Sequence, residues 1–198
     1  MAALPRNLIL CILILTCTGS MALTASDIQP LQPGAQLEIP IPNSDTPLLE
    51  TITVSSSSSL IDSDDGRWYR IDGKRSDEQP AVVLLYAQKD NTDFEVESLI
   101  ERIKLQDIGV SAQLLHKFDK EGRGELIYDG QHYKFNADDS DDARYTLNKP
   151  GSQPINVSYY RFDCVEDDDL AIIVFEWGGN KYEVLHVGWV DSKLVHLK

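Results

Sequence analysis

The chain has 198 residues and carries 32 Asp and Glu against 18 Lys and Arg, a formal net charge of −14. That balance weighs against nucleic acid and anionic membrane surfaces as partners, because both are bound through basic patches. The length suits one domain with a short leader, large enough to bury a core without disulfide staples.

In chain order, the first feature is an unbroken apolar run over residues 8–15 behind Arg6. It has the form of a secretory signal peptide, with Arg6 as the positive n-region. The block is much shorter than the roughly 20 apolar residues of a transmembrane helix. Cleavage after Ala25 is expected, where Ser26 and Asp27 open the polar chain; an uncleaved anchor and a lipid on Cys17 are the alternatives. The protein is therefore expected to be exported, periplasmic or extracellular, with membrane attachment only through such a lipid. Without residues 1–25, Lys and Arg number 17 against 32 Asp and Glu, a net charge of −15. Cys11 and Cys17 also leave, so Cys164 has no internal disulfide partner and is expected to be a buried thiol.

Residues 26–48 contain Pro30, Pro33, Pro40, Pro42 and Pro47, which exclude a helix and predict an extended leader. Within it, residues 36–39 alternate and predict a short edge strand. A single β-rich domain is expected over 49–198. It opens on an alternating strand at 49–54, followed by a five-serine loop at 55–59 and a turn at 62–66. A strand at 67–71 precedes a turn candidate at Asp72-Gly73, and 81–88 has the β-branched character of a buried strand. Residues 94–105 mix strand and helix spacing and are assigned to strand. A short helix is expected over 111–117, with Ser111 as N-cap.

The clearest hairpin turns at Asp129-Gly130, the pair a type I′ turn requires, with Tyr133 and Phe135 alternating on its second strand. Strands at 143–147, 155–163 and 171–187, the last broken by a turn at 178–180, complete the pattern. Many short strands without a long amphipathic helix predict a mainly β fold. The expected form is an antiparallel sheet, or a partly open barrel or sandwich, with at most one or two short helices.

The hairpin Leu126-Ile127-Tyr128-Asp129-Gly130-Gln131-His132-Tyr133 is followed by Val157-Ser158-Tyr159-Tyr160-Arg161-Phe162. Next come Ile173-Val174-Phe175-Glu176-Trp177-Gly178 and Tyr182-Glu183-Val184. This order resembles the bacterial family called domain of unknown function 4178, over roughly residues 49–197 and specifically over 124–190. The resemblance implies a small β-rich module of unassigned activity and supplies no catalytic residues. The export signal departs from the family's usual pattern.

Two acidic clusters are candidate calcium ligands: Asp138, Asp139, Asp141 and Asp142, and Asp167, Asp168 and Asp169 beside Glu166. Clustered carboxylates repel, and a hard cation would relieve that, but solvated turns between strands account for them more simply. An EF-hand counted from Asp119 fails, because its fifth position is Arg123 and its twelfth is Gly130. His116, His132, His186 and His196 show no zinc spacing. No nucleophile elbow, phosphate loop or HExxH motif is present, so no catalytic residues or cofactors are assigned. Trp68, Trp177, Trp189, Tyr159, Tyr160 and Tyr182 could line a groove, but core packing is the expected role. The function expected is a non-enzymatic binding module of the cell envelope, with a protein or small-ligand partner. A calcium binder, or a small hydrolase using Cys164, His132 or His186, is the alternative.

Overall fold

Period-two alternation with β-branched and aromatic residues on the apolar positions favours strands, and strands dominate the structure. A computed structural model describes residues 31–42, 48–64, 66–87 and 95–198; the proposed signal peptide lies outside the described residues. The strands are β1 (Gln36–Pro40), β2 (Leu49–Asp62), β3 (Arg67–Lys74), β4 (Pro80–Ala87), β5 (Glu95–Ile103), β6 (Glu125–Tyr128), β7 (Gln131–Leu147), β8 (Ile155–Cys164), β9 (Leu170–Glu176), β10 (Tyr182–Val190) and β11 (His196–Leu197). Helix α1 (Ala112–Glu121) lies between β5 and β6, and a 3-10 turn (Ser192–Leu194) precedes β11.

The strands are antiparallel in the order β2-β3-β4-β5-β10-β9-β8-β7, and residues 58–62 of β2 pair back with 143–147 of β7. That pairing closes an eight-stranded barrel. The other half of each seam strand leaves the ring: β1 and then β11 continue the sheet from the start of β2, and β6 continues it from the start of β7. The mainly β, antiparallel expectation holds, and the barrel closes.

Three apolar clusters follow from this arrangement. Leu60, Leu84, Leu99, Ile173, Phe175 and Leu185 meet inside the barrel. On one outer face, Ile71, Val83, Leu85 and Val96 pack under Leu31, Leu37, Ile39 and Val195. On another, Phe162, Ile172, Val174 and Val184 pack with Leu115, Ile108, Val110 and Leu126. Strand β9 has apolar cover on both faces, so it is a continuous buried run rather than an alternating one.

Local signals set the helix and the hairpin. Ser111 accepts the Leu114 N–H at 3.2 Å, and Gly122 ends α1 in the left-handed region at φ 62°. The helix thus extends beyond the expected 111–117. Asp129 (φ 49°) and Gly130 (φ 78°) form the expected tight turn between β6 and β7.

Other local expectations are corrected. The five serines continue β2 rather than forming a loop. Their small side chains fit close crossings, and Ser57 Oγ and Ser58 Oγ satisfy themselves on the Leu31 and Arg70 carbonyls at 2.9 and 3.3 Å. Asp72-Gly73 lies within β3, not in a turn. A Cβ on Gly73 would stand 2.6 Å from Ile52 Cγ2 and from the Thr53 carbonyl oxygen, so glycine permits close strand contact there. Residues 138–142 form no connecting turn but an irregularity inside the 17-residue β7. The short strand expected at 36–39 is present as β1, and Leu31, Leu37 and Ile39 are buried in the outer core.

Candidate functional site at one mouth of the barrel

Alternation sends polar residues inward at both ends of the apolar interior. Towards one end, buried Arg70 on β3 reaches across to Glu183 on β10, with Nη1 and Nη2 donating at 2.7 and 2.9 Å. Its Nε and Nη2 also donate to Asp72 at 3.0 and 2.8 Å. The guanidinium lies 5.5 Å from the Phe175 ring centre and 5.4 Å from that of Trp177. Arg102 and Trp177 Nε1 donate to the same Glu183 carboxylate. This end is filled by a cross-linked ion network.

The other end opens into a cleft of about 520 Å³. Its floor is apolar and aromatic. Trp68 stands 4.9 Å from Tyr86 and 5.5 Å from Tyr159, ring centre to ring centre, and Leu84 fills the space beside them. Among the described residues one cation enters the lining: Arg161 on β8, whose Nη2 lies 2.8 Å from Glu97 Oε1 and whose Nε lies 2.6 Å from Asp163 Oδ1. Glu97 and Asp163 outweigh the burial that would discharge Arg161 and hold its pKa above the ordinary value. Glu97 Oε2 is buried and has no hydrogen-bond partner among the described residues.

The rim is acidic. Asp62 comes from the end of β2, Asp64 from the β2–β3 turn and Glu95 from the start of β5. Asp138, Asp139 and Asp141 come from the irregularity in β7. There, residues 137–140 stand opposite Tyr160 alone, because the register with β8 shifts between Asn136 and Asp141. Ser140 Oγ fastens the bulge by donating to the Asn136 carbonyl at 2.6 Å and accepting the Arg161 N–H at 2.8 Å. Asp141 accepts from the Ser63 amide at 3.0 Å and from the Ser63 hydroxyl, joining the bulge to the β2–β3 turn. Burial raises the Asp141 pKa, but these hydrogen bonds and the Asp142 amide outweigh it and hold it below the usual value. Burial, then the Asp62 and Asp141 carboxylates, push the Tyr159 hydroxyl up.

The structure separates the carboxylates that the sequence groups. Asp138, Asp139 and Asp141 face the cleft, whereas Asp142 accepts from Ser158 Oγ and is not part of the lining. Asp139 also accepts from Asn136 Nδ2 at 2.9 Å. Asp167, Asp168 and Asp169 lie in the β8–β9 turn, where Asp167 Oδ1 caps the Asp169 amide at 3.0 Å. Among the described residues, no group of three or more His, Cys, Asp or Glu side chains is placed to hold a metal ion.

The candidate nucleophile and bases lie outside the barrel interior. Cys164 is buried, pairs across strands with Tyr133, and its Sγ lies 3.6 Å from Glu166 Oε2. Tyr133 Oη lies 3.1 Å from His186 Nε2, and His186 Nδ1 lies 3.5 Å from Glu101. Burial lowers the His186 pKa despite the Glu101 carboxylate, and burial with the adjacent Cys164 raises that of Tyr133. His132 is exposed on the other face of β7.

Among the aromatic candidates, Trp68 and Tyr159 reach the cleft floor. Trp177 belongs to the filled end, while Tyr160 and Tyr182 donate to Glu176 at 3.0 and 3.1 Å. Trp189 is 47 % exposed. Sequence reasoning did not single out Tyr86, Glu95, Glu97, Asp62, Asp64 or Arg161 as site residues. They lie on separate strands and turns, and only closure of the barrel brings them together. No family model, curated protein or solved structure matches the chain.

Proposed function

We propose that the protein is an exported, non-enzymatic binding module of the cell envelope whose open barrel mouth takes a small ligand. The observation that carries this reading is the cleft itself: about 520 Å³, with an aromatic floor and convergent polar groups. That volume lies within the roughly 300–1,000 Å³ typical of small-molecule sites. The interior below it is packed with apolar side chains, and the far end is filled by the Arg70 network, so a ligand would enter and leave by one mouth.

Nuclear magnetic resonance titration of the protein with a panel of anionic, neutral and cationic small molecules tests the proposal. Shifts should gather on the Trp68 indole and on the amides of Tyr86, Glu97 and Asp141. A panel that leaves these signals unmoved, or moves signals elsewhere only, overturns it. Calcium binding is the alternative reading, since Asp138, Asp139 and Asp141 line the same cleft as Asp62 and Asp64. Millimolar calcium should then raise the melting temperature, and an unchanged melting temperature refutes that reading.

A further inference from the structure

We infer that the open mouth selects organic cations: an ammonium head held among the rim carboxylates, with its aliphatic part against Trp68, Tyr86 and Tyr159. This rests on the mouth being the ligand site. Three independent features point to that chemistry.

The first is charge. Arg161, the cation of the lining, is already engaged by Glu97 and Asp163. Asp62, Asp64, Glu95, Asp138, Asp139 and Asp141 therefore face one another with no matching positive group among the described residues of the cleft. An anionic ligand would meet this field as a like charge, and a cation would be drawn in by it.

The second is the buried acceptor. Glu97 is 8 % exposed, and its Oε2 has no partner among the described residues. A buried carboxylate oxygen without a donor costs free energy, and a ligand N–H would supply the donor. Glu97 lines the cleft, and Arg161 fixes its Oε1, which holds the carboxylate in the cleft lining.

The third is the floor. Trp68, Tyr86 and Tyr159 present tilted rings with centres 4.9 and 5.5 Å apart. Aromatic faces attract weakly hydrated organic cations and their methyl or methylene groups. A hard metal ion instead requires six to eight oxygen ligands at roughly 2.3–2.6 Å and gains little from such a surface. Carboxylates around aromatic rings fit an ammonium compound better than a bare divalent ion.

The test uses the full chain, titrated with choline, spermidine, calcium chloride and 3,3-dimethylbutan-1-ol, the uncharged isostere of choline. Calorimetry gives the affinity, and resonance shifts at the Trp68 indole give the location. Choline or spermidine should bind at the mouth at least tenfold more tightly than the neutral isostere, and added sodium chloride should weaken the binding. Glu97→Gln should lower the affinity at least tenfold. Because that change also disturbs the Arg161 pair, Glu95→Gln on the exposed rim serves as a second variant and should lower it several-fold with the melting temperature unchanged. Equal binding of the neutral isostere at the mouth overturns the inference and leaves the binding-site reading standing. Calcium binding at the mouth without either organic cation also overturns it, in favour of a metal site. Silence from every probe, joined by silence from the wider panel of other charge types, overturns both readings.

Discussion

Replacing Arg70 with Met isolates the buried ion network at the filled end of the barrel. The Arg70 side chain is 6 % exposed, and its donors are shared between Glu183 and Asp72, whose side chains are 16 % and 27 % exposed. Removing one partner of a buried pair costs about 3–5 kcal/mol, because the other charge is stranded. Here Glu183 keeps Arg102 and Trp177 Nε1, and Asp72 keeps Arg102 at 3.5 Å, so the electrostatic loss falls at about 3 kcal/mol. Contact with Phe175 and Trp177 adds about 0.5–1 kcal/mol for each cation–π pair, which Met offsets in part through its own packing on the same rings. The expected net cost is about 3 kcal/mol, or a fall of roughly 6–12 °C in melting temperature for a chain of this size.

Urea denaturation of three variants checks the reasoning. Arg70→Met should shift the midpoint strongly. Arg102→Met, at a side chain 40 % exposed, should cost about 1 kcal/mol or less. Arg70→Met combined with Glu183→Leu should recover most of the loss, because an apolar pair replaces a buried ion pair at little net cost. If Arg102→Met proves as damaging as Arg70→Met, the burial argument fails. If the double variant is no more stable than Arg70→Met alone, the cost comes from packing rather than from a stranded charge.

Other perturbations address separate parts of the structure. His186 has its pKa lowered from 6.5 by burial, so the unfolded chain binds the proton more readily; its contribution to stability is full above about pH 6.5 and is lost as the pH falls below it. His186→Gln should flatten the dependence of the urea midpoint on pH between about 7 and 5, and a slope equal to that of the unaltered protein removes His186 as its source. Gly73→Val should cost about 1–3 kcal/mol by chemical denaturation, since its Cβ would meet Ile52 and the Thr53 carbonyl at 2.6 Å; an unchanged midpoint shows that β2 and β3 separate freely there. Cys164 is 4 % exposed and should react with a thiol reagent only at the rate of unfolding, measured by absorbance against a denatured control; immediate reaction in the native protein contradicts its burial.

Strand content was legible wherever one rule dominated. Asp129-Gly130 specified its turn through backbone conformation, and Ser111 specified the start of α1 through capping, whereas its end at Gly122 was read too early, at 117. The misreadings share a physical cause. A run of serine at 55–59 and the dipeptide Asp72-Gly73 carry turn propensity, but in β2 and β3 small side chains allow close packing at a bulged seam. Local propensity lost there to tertiary contact. The acidic run at 138–142 lies in a β-strand for the same reason: β8 supplies a partner on both sides of it, and Ser140 fixes the excess residues.

The two ends of the barrel show why the site was less legible than the fold. Both place an arginine between carboxylates from separate strands: Arg70 with Asp72 and Glu183 at one end, Arg161 with Glu97 and Asp163 at the other. In the sequence these are ordinary charges in alternating strands. Their difference emerges from what the fold adds to each end. Arg102 and the rings of Phe175 and Trp177 complete the first, and its carboxylates are matched. The bulge of β7 and the β2–β3 turn bring further acids to the second, and the Ser63–Asp141 contact joins them. Among the described residues, charge balance thus separates the filled end from the acidic mouth, and that difference depends on strand register rather than on any local motif.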